Sequence, residues 1–213
     1  VYNSAEDSYE TLACESEPEL VATDGEIIAY ASGTQVYTCD IAAGETAFSS
    51  AQLTGTEVVG LSVLYGSTYY VKGNGTRGIV GGDSVETSTS PTGMTADLYG
   101  NLYLSYTGGR VRMYTEEEFL TQSTGTDTGI TLPVGATSMR TDVDGNLYCL
   151  SNGMLMRNGQ AFAAIDGTDF VYGTDSARAC SYALGYEDDA VYFLFGNYIV
   201  ATKASTDTAE GTL

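Results

Sequence analysis

One short sequence pattern recurs five times along this chain of 213 residues. Each copy has a tight turn, an apolar strand, a second turn rich in Gly and Asn, and a further strand. The second residue of the first turn falls at Gly25, Gly66, Gly100, Gly145 and Asp189, so successive copies lie 41, 34, 45 and 44 residues apart. A unit of this size cannot bury its apolar face alone, and therefore the repeat requires an architecture of stacked neighbours.

Two of the copies match closely. Residues 94–103 and 139–148 share six of ten positions at a constant offset of 45. Apolar residues alternate before each turn, which is typical of a strand with one richer face. After the turn, runs such as 102–106 and 191–195 are apolar almost throughout, which indicates burial on both faces. A period near 40 residues built from strands predicts an all-β chain folded as a β-propeller, with one four-stranded blade per repeat.

We therefore expect about five blades in a single domain spanning residues 1–213, with repeat turns near residues 25, 66, 100, 145 and 189. One large residue per repeat occupies the same place after the turn and is expected to pack one blade against the next: Ile28, Tyr69, Tyr103, Tyr148 and Tyr192. The N-terminal residues 1–16 could supply an outer strand that closes the ring. The alternatives are a divergent sixth blade or an incomplete ring whose remaining blades come from outside this chain.

Two kinds of segment interrupt the strands. The sequence from Thr115 to Glu118 fits a capping box with acids in the first turn, which predicts a short helix inserted before the fourth strand of the third blade. Polar stretches at about 44–57, 82–93, 121–137 and 163–178 are interpreted as connections between blades, and loops of this kind carry function most often.

The charge and composition exclude several functions. The net charge is −20, with 28 acidic and 8 basic residues, and the chain has no histidine. Binding to nucleic acid or to an anionic membrane surface requires clustered Lys and Arg, so neither is expected. The lack of histidine argues against a triad hydrolase and a zinc enzyme. The longest apolar stretch, 190–201, is too short to span a membrane. We expect no catalytic residue, no metal, no cofactor and no direct membrane insertion.

Four cysteines are present at Cys14, Cys39, Cys149 and Cys180. None belongs to a C-x-x-C pair, so neither a zinc nor a redox motif is indicated. The sequence allows two disulfides, Cys14–Cys39 and Cys149–Cys180, each of which would join neighbouring elements. The alternative is that the four thiols are reduced and buried as small apolar side chains.

The segments 94–103 and 139–148 resemble the NHL-type propeller repeat, with its small-x-Asp-x-x-Gly-Asn-hydrophobic-Tyr sequence. They are also similar to propeller domains of Gram-positive bacterial cell-surface proteins of unknown function. The typical NHL repeat carries an acid after the tyrosine strand, whereas Ser105 and Ser151 stand there in this chain. The resemblance implies the fold, and no catalytic residue follows from it.

Asp97 and Asp142 are matched carboxylates near the ends of the strands expected to be innermost. There they could bind a ligand or Ca²⁺, or act in glycoside hydrolysis. The competing interpretation, which we favour, is that each accepts backbone N–H bonds within its own turn.

These features favour a non-catalytic extracellular or cell-surface module for recognition or scaffolding, with a protein or glycan ligand. The chain begins at Val1 without Met, so either a leader has been removed or the chain is a piece of something longer. We expect it to belong to a larger surface protein of bacterial type. One alternative is a carbohydrate-active enzyme that uses carboxylates near the propeller axis. A structural spacer without a ligand is another.

Overall fold

A computed structural model describes residues 2–3, 8–9, 11–142, 144–151, 154–161, 171–172, 175–176, 181–184, 190–195 and 198–203. Strands dominate this part of the chain. Its helix, α1 (Glu116–Phe119), is a single turn that follows the third strand of the third blade, as the capping box predicted. No helix in the described residues is long enough to cross a membrane.

The strands form antiparallel sheets whose neighbours are consecutive in the chain. The first sheet is a pair, β1 (Tyr2–Asn3) and β2 (Ser8–Tyr9). The first blade contains β3 (Leu20–Thr23), β4 (Ile27–Ser32), β5 (Gln35–Asp40) and β6 (Ser49–Gln52). The second contains β7 (Val58–Leu64), β8 (Ser67–Lys72), β9 (Arg77–Ile79) and β10 (Ser84–Val85).

The third blade contains β11 (Pro91–Ala96), β12 (Asn101–Tyr106), β13 (Arg110–Thr115) and β14 (Thr126–Thr131). The fourth contains β15 (Thr137–Thr141), β16 (Leu147–Ser151), β17 (Met154–Arg157) and β18 (Gln160–Ala161). Two smaller sheets follow: β19 (Val171–Tyr172) with β20 (Asp175–Ser176), and β21 (Ser181–Leu184) with β22 (Ala190–Phe195) and β23 (Tyr198–Lys203).

The described residues thus contain four complete four-stranded blades of a β-propeller, and not the five expected from the repeats. The fifth repeat gives the sheet β21–β22–β23, which has three strands among the described residues. Its strands β22 and β23 pair antiparallel, as the repeat predicts.

The N-terminal strands β1 and β2 pair with each other. Among the described residues, no strand from 1–16 joins the sheet β21–β22–β23, so the structure does not show the predicted ring-closing strand.

The repeat turns place glycine where the backbone requires it. Gly25, Gly66, Gly100 and Gly145 have φ angles of +94°, +74°, +89° and +78°, a region that side chains with a Cβ rarely adopt. These four turns confirm the spacing read from the sequence, while Asp189 lies outside the described residues.

The chain divides into two compact units, residues 1–94 with 116–123 and residues 95–115 with 124–213. The first unit holds blades one and two, which share an apolar core. Its buried residues come from both blades and are Ala29, Ala31, Val36, Val58, Leu61, Val63 and Tyr70. At the turns, the Asp24 carboxylate accepts a hydrogen bond from Gly66 N at 3.1 Å. Partial burial would raise the pKa of Asp24, but this bond and others from Ile27 and Glu26 lower it.

The second unit repeats this arrangement between blades three and four. Its buried cluster is Tyr103, Val111, Leu132, Met139, Leu147 and Cys149. The Thr141 hydroxyl donates to Ala96 O at 2.7 Å, and the Tyr182 hydroxyl donates to Ser138 O at 2.6 Å. Both bonds join strands of neighbouring sheets, so polar contacts link blade three to blade four and blade four to the sheet β21–β22–β23.

The tyrosines expected between blades are buried where their side chains are described. Tyr69, Tyr103 and Tyr148 are 1%, 7% and 0% exposed, and Ile28 and Tyr192 are half-buried. Burial of such large rings is worth about 1.5–3 kcal/mol each, provided the hydroxyl finds a partner. Burial of the three rings is as predicted, and Tyr103 lies in the cluster shared by blades three and four.

The inserted segment 116–123 belongs to the first unit and packs on blade two. Phe119 is fully buried and meets the Tyr69 ring edge-on at 5.8 Å between centroids. The Tyr69 hydroxyl donates to the Glu116 carboxylate. Nη2 of the buried Arg77 donates to the carbonyl oxygens of Glu118, Thr121 and Ser123 at 3.4, 2.8 and 2.8 Å. The insertion therefore stabilises the outer part of blade two.

A close approach of β7 to β11 gives the first prediction. A Cβ added at Gly60 would lie 2.6 Å from Met94 Cβ and 2.7 Å from Met94 N. Because a backbone atom cannot move aside, we expect Gly60→Ala to lower the free energy of unfolding by about 1–3 kcal/mol, measured by urea denaturation. Gly73→Ala is the control, since its new Cβ would lie 3.6 Å from Val59. Equal stability of the two variants would contradict this packing.

Candidate functional site

The Asp97 carboxylate is enclosed by its own turn. It accepts hydrogen bonds from Tyr99 N, Asn101 N and Asn101 Nδ2 at 2.9, 2.9 and 2.8 Å, and from the Tyr103 hydroxyl at 3.0 Å. Asp97 is 3% exposed. Burial, together with this bond to Asp97, raises the pKa of Tyr103 to about 12.

Asp142 occupies the equivalent place in the fourth blade and makes the same turn. It accepts from Asp144 N, Asn146 N and Asn146 Nδ2 at 3.0, 2.8 and 3.0 Å. It is half-buried, and burial raises the pKa of nearby Tyr148 to about 12. The shared geometry explains why the Asp-x-x-Gly-Asn sequence recurs. The Asp carboxylate accepts hydrogen bonds from backbone N–H groups of the turn, and the Asn side-chain amide donates to the same carboxylate.

In both blades, the matched carboxylates therefore stabilise their own turns by accepting hydrogen bonds. The oxygens that a ligand or reaction would need are already hydrogen-bond acceptors within each turn, and Asp97 is closed to solvent. The structure offers no support for Asp97 or Asp142 as a ligand-binding site. Among the residues it describes, no group of three or more His, Cys, Asp or Glu side chains is placed to hold a metal ion.

The cysteines are not bridged as the sequence allowed. Cys14, Cys39 and Cys149 are free thiols, so the Cys14–Cys39 disulfide is wrong. Cys14 is exposed, whereas Cys39 is buried in β5 with Sγ donating to Glu45 O at 3.4 Å. Burial also raises the pKa of Cys149 to about 11. Its proposed partner, Cys180, lies outside the described residues.

An open cleft lies in the first unit, between the turns of blades one and two. Because each blade is an antiparallel meander, the β4–β5 and β8–β9 hairpins lie at the same strand ends as the β6–β7 connection, opposite the repeat turns. The cleft has a volume of about 560 Å³, within the range of small-molecule sites. We call it the Gly55 cleft; its lining is Thr34, Gly55, Thr56, Glu57, Val59, Gly73 and Asn74.

A buried ammonium lies next to Gly55, one of the residues that line this cleft. Lys72 is 2% exposed, and its Nζ donates to Thr54 O. Burial lowers its pKa, and the charge of Glu86 partly offsets this effect. A Cβ at Gly55 would lie 3.9 Å from Lys72 Nζ and 4.0 Å from Asn74 Nδ2. The space that a side chain at position 55 would occupy is thus bounded by two N–H donors.

The sequence pointed to the loop 44–57 but not to these residues. Lys72 ends the apolar run of β8, and a cation there is the one sequence signal that could have drawn attention to it. Its approach to Gly55 depends on how two blades pack, which no local pattern reveals.

No protein-family model matches this chain, and no curated protein matches it. Solved structures do. One, from the crystal structure of the mitotic checkpoint complex, has a TM-score of 0.58 at 14% identity over 94% of this chain and 72% of that one. Another is PorZ, an essential bacterial surface component of the type-IX secretion system of Porphyromonas gingivalis. It has a TM-score of 0.58 at 13% identity over 92% of this chain and 25% of that one.

These neighbours are propeller-type proteins. At such identity the likeness shows the fold alone, which is a β-propeller. The NHL-type repeat and the Gram-positive surface context stay predictions. A propeller suits a protein-interaction or scaffold module, because rigid blades hold variable loops in fixed positions.

The turn geometry predicts how the two acids respond to mutation. Asp97→Asn should lower the free energy of unfolding by about 2 kcal/mol, since the amide leaves buried donors without an acceptor. Asp142→Asn is the matched variant and should lower it less, because Asp142 is half-buried and water can replace the lost acceptor. Chemical denaturation of both proteins measures the difference. Wild-type stability in Asp97→Asn would contradict the structural role.

Proposed function

We propose that this chain is a non-catalytic recognition or scaffolding module of an extracellular or cell-surface protein. The observation that carries the proposal is that both matched carboxylates are used inside their turns, while an open polar cleft lies among the loops. We therefore assign recognition to the loops and no reaction to these two carboxylates.

The net charge of −20 supports the extracellular part of this proposal. A strongly acidic surface keeps a protein dispersed and repels nucleic acid and anionic membranes. PorZ is a bacterial surface component by its own description, and this likeness supports the proposal that the chain belongs to a larger surface protein. We propose a protein or a glycan as its ligand.

The enzymatic alternative has no observation in its favour. A glycosidase needs two carboxyl groups flanking a bond, one of them protonated and both reachable by substrate. Asp97 is 3% exposed and accepts four hydrogen bonds, so substrate could not reach it without unfolding the turn.

One experiment with two arms tests the proposal. Purified protein is incubated with neutral and acidic oligosaccharides and analysed for products, and intact source cells are probed with an antibody against the chain. We expect no turnover, together with labelling of unpermeabilised cells. Product formation that disappears in Asp142→Asn would refute the proposal that the module is non-catalytic. Labelling only after permeabilisation would refute the extracellular or cell-surface location.

A further inference from the structure

We infer that the Gly55 cleft binds a neutral, hydroxyl-rich sugar unit of a glycan. This inference rests on the proposed recognition function and names the ligand class of one site. It follows from the polar groups that line the cleft, from their fixed positions and from the balance of charge around them.

Asn74 lines the cleft, and the ammonium of Lys72 lies beside Gly55, 3.9 Å from the position of a Cβ there. The ammonium of Lys72 has three N–H groups, and the described residues supply one acceptor for them, Thr54 O. Asn74 Oδ1 accepts from Thr76 N at 3.0 Å, which fixes the orientation of the amide, with Nδ2 4.0 Å from the Cβ position of Gly55. A ligand oxygen in the space beside Gly55 would give the ammonium of Lys72 a second acceptor.

Acceptors line the same space. Glu57 and Thr56 are exposed cleft residues, and their side chains make no hydrogen bond or ion pair to the part of the chain that the structure describes. A carboxylate only accepts hydrogen bonds, whereas an ammonium and an amide NH₂ only donate them. One ligand that meets all three groups must both donate and accept. A hydroxyl group does both, and a sugar carries several on a rigid ring.

The charges favour a neutral ligand. Glu57 lines the cleft, the charge of Glu86 acts on the nearby ammonium of Lys72, and the whole chain carries −20. A phosphate or an acidic sugar would meet the repulsion of that field. A cationic side chain would meet the ammonium of Lys72. Val59 adds an apolar surface to the lining, which suits the C–H face of a pyranose.

The cleft is held in shape before any ligand arrives. Gly73 N donates to Glu57 O at 3.3 Å, and Gly75 N donates to Lys72 O at 2.9 Å. A Cβ at Gly75 would lie 2.2 Å from Thr89 O, so the β8–β9 hairpin is packed tightly on the following segment. Such preorganisation reduces the entropy lost on binding.

A peptide is the rival occupant, and its fit is poorer. Peptides are recognised mostly through large apolar or aromatic anchors or by pairing with an exposed strand. Val59 is the one apolar residue in the cleft lining, and the cleft is built from turns. The cleft thus lacks both recognition modes.

The test is a titration of ¹⁵N-labelled protein with cellotriose, maltotriose, mannotriose and triacetylchitotriose, followed by NMR. We expect at least one of these neutral trisaccharides to shift the amide signals of Gly55 and Glu57 and the side-chain NH₂ signals of Asn74. Glu57→Gln should weaken that binding roughly tenfold, because it removes a charged acceptor. Gly73→Ala should weaken it by narrowing the cleft without disturbing the fold.

Glu117→Gln is the matched control. It removes the same charge from an exposed residue of α1 and should leave binding unchanged. Binding that resists both cleft variants, or no binding by any trisaccharide, would overturn the inference and leave the recognition function standing. Cleft signals that move with a neutral peptide such as penta-alanine, and with no sugar, would overturn it in favour of a peptide. Conversion of a trisaccharide to products would instead contradict the proposed function.

Discussion

The structure depends on the apolar surface that each blade shields for its neighbour. Strands β8, β12 and β16 are buried over most of their length, which a single solvated sheet could not achieve. The clusters that bury them draw residues from two blades each. Because no blade encloses its own core, the free energy of folding is shared between neighbours, as expected of repeat architectures.

The constraint on the turns follows from this packing. Strands buried on both faces must be joined by turns whose polar groups are satisfied locally, and Asp97 does this for the third blade with four accepted bonds. A carboxylate that looks catalytic in the sequence is thereby used as a hydrogen-bond acceptor within its turn. The Gly55 cleft lies at the opposite ends of the strands, where Gly55 leaves room beside the ammonium of Lys72.

Much of the architecture could be predicted because its signals are local. Positive-φ glycines, buried tyrosines and the capping box of α1 each depend on a few neighbouring residues. The outer strands could not be predicted in this way. Strands β6 and β10 are short and largely exposed, so their polar sequences resemble connections between blades. Strand β14, which is also largely polar, lies within the predicted loop 121–137 for the same reason. The blade count and the Gly55 cleft depend on contacts between distant segments.

Hydrogen exchange in a Leu147→Ala variant tests the central claim most directly. Leu147 is fully buried in β16, within the cluster shared by blades three and four, and its truncation should cost about 2–5 kcal/mol. If neighbouring blades share one core, amide protection must fall in β12 as well as in β16. Faster exchange confined to β16 and its own blade, with β12 as protected as in the wild type, would show that each blade is stable by itself.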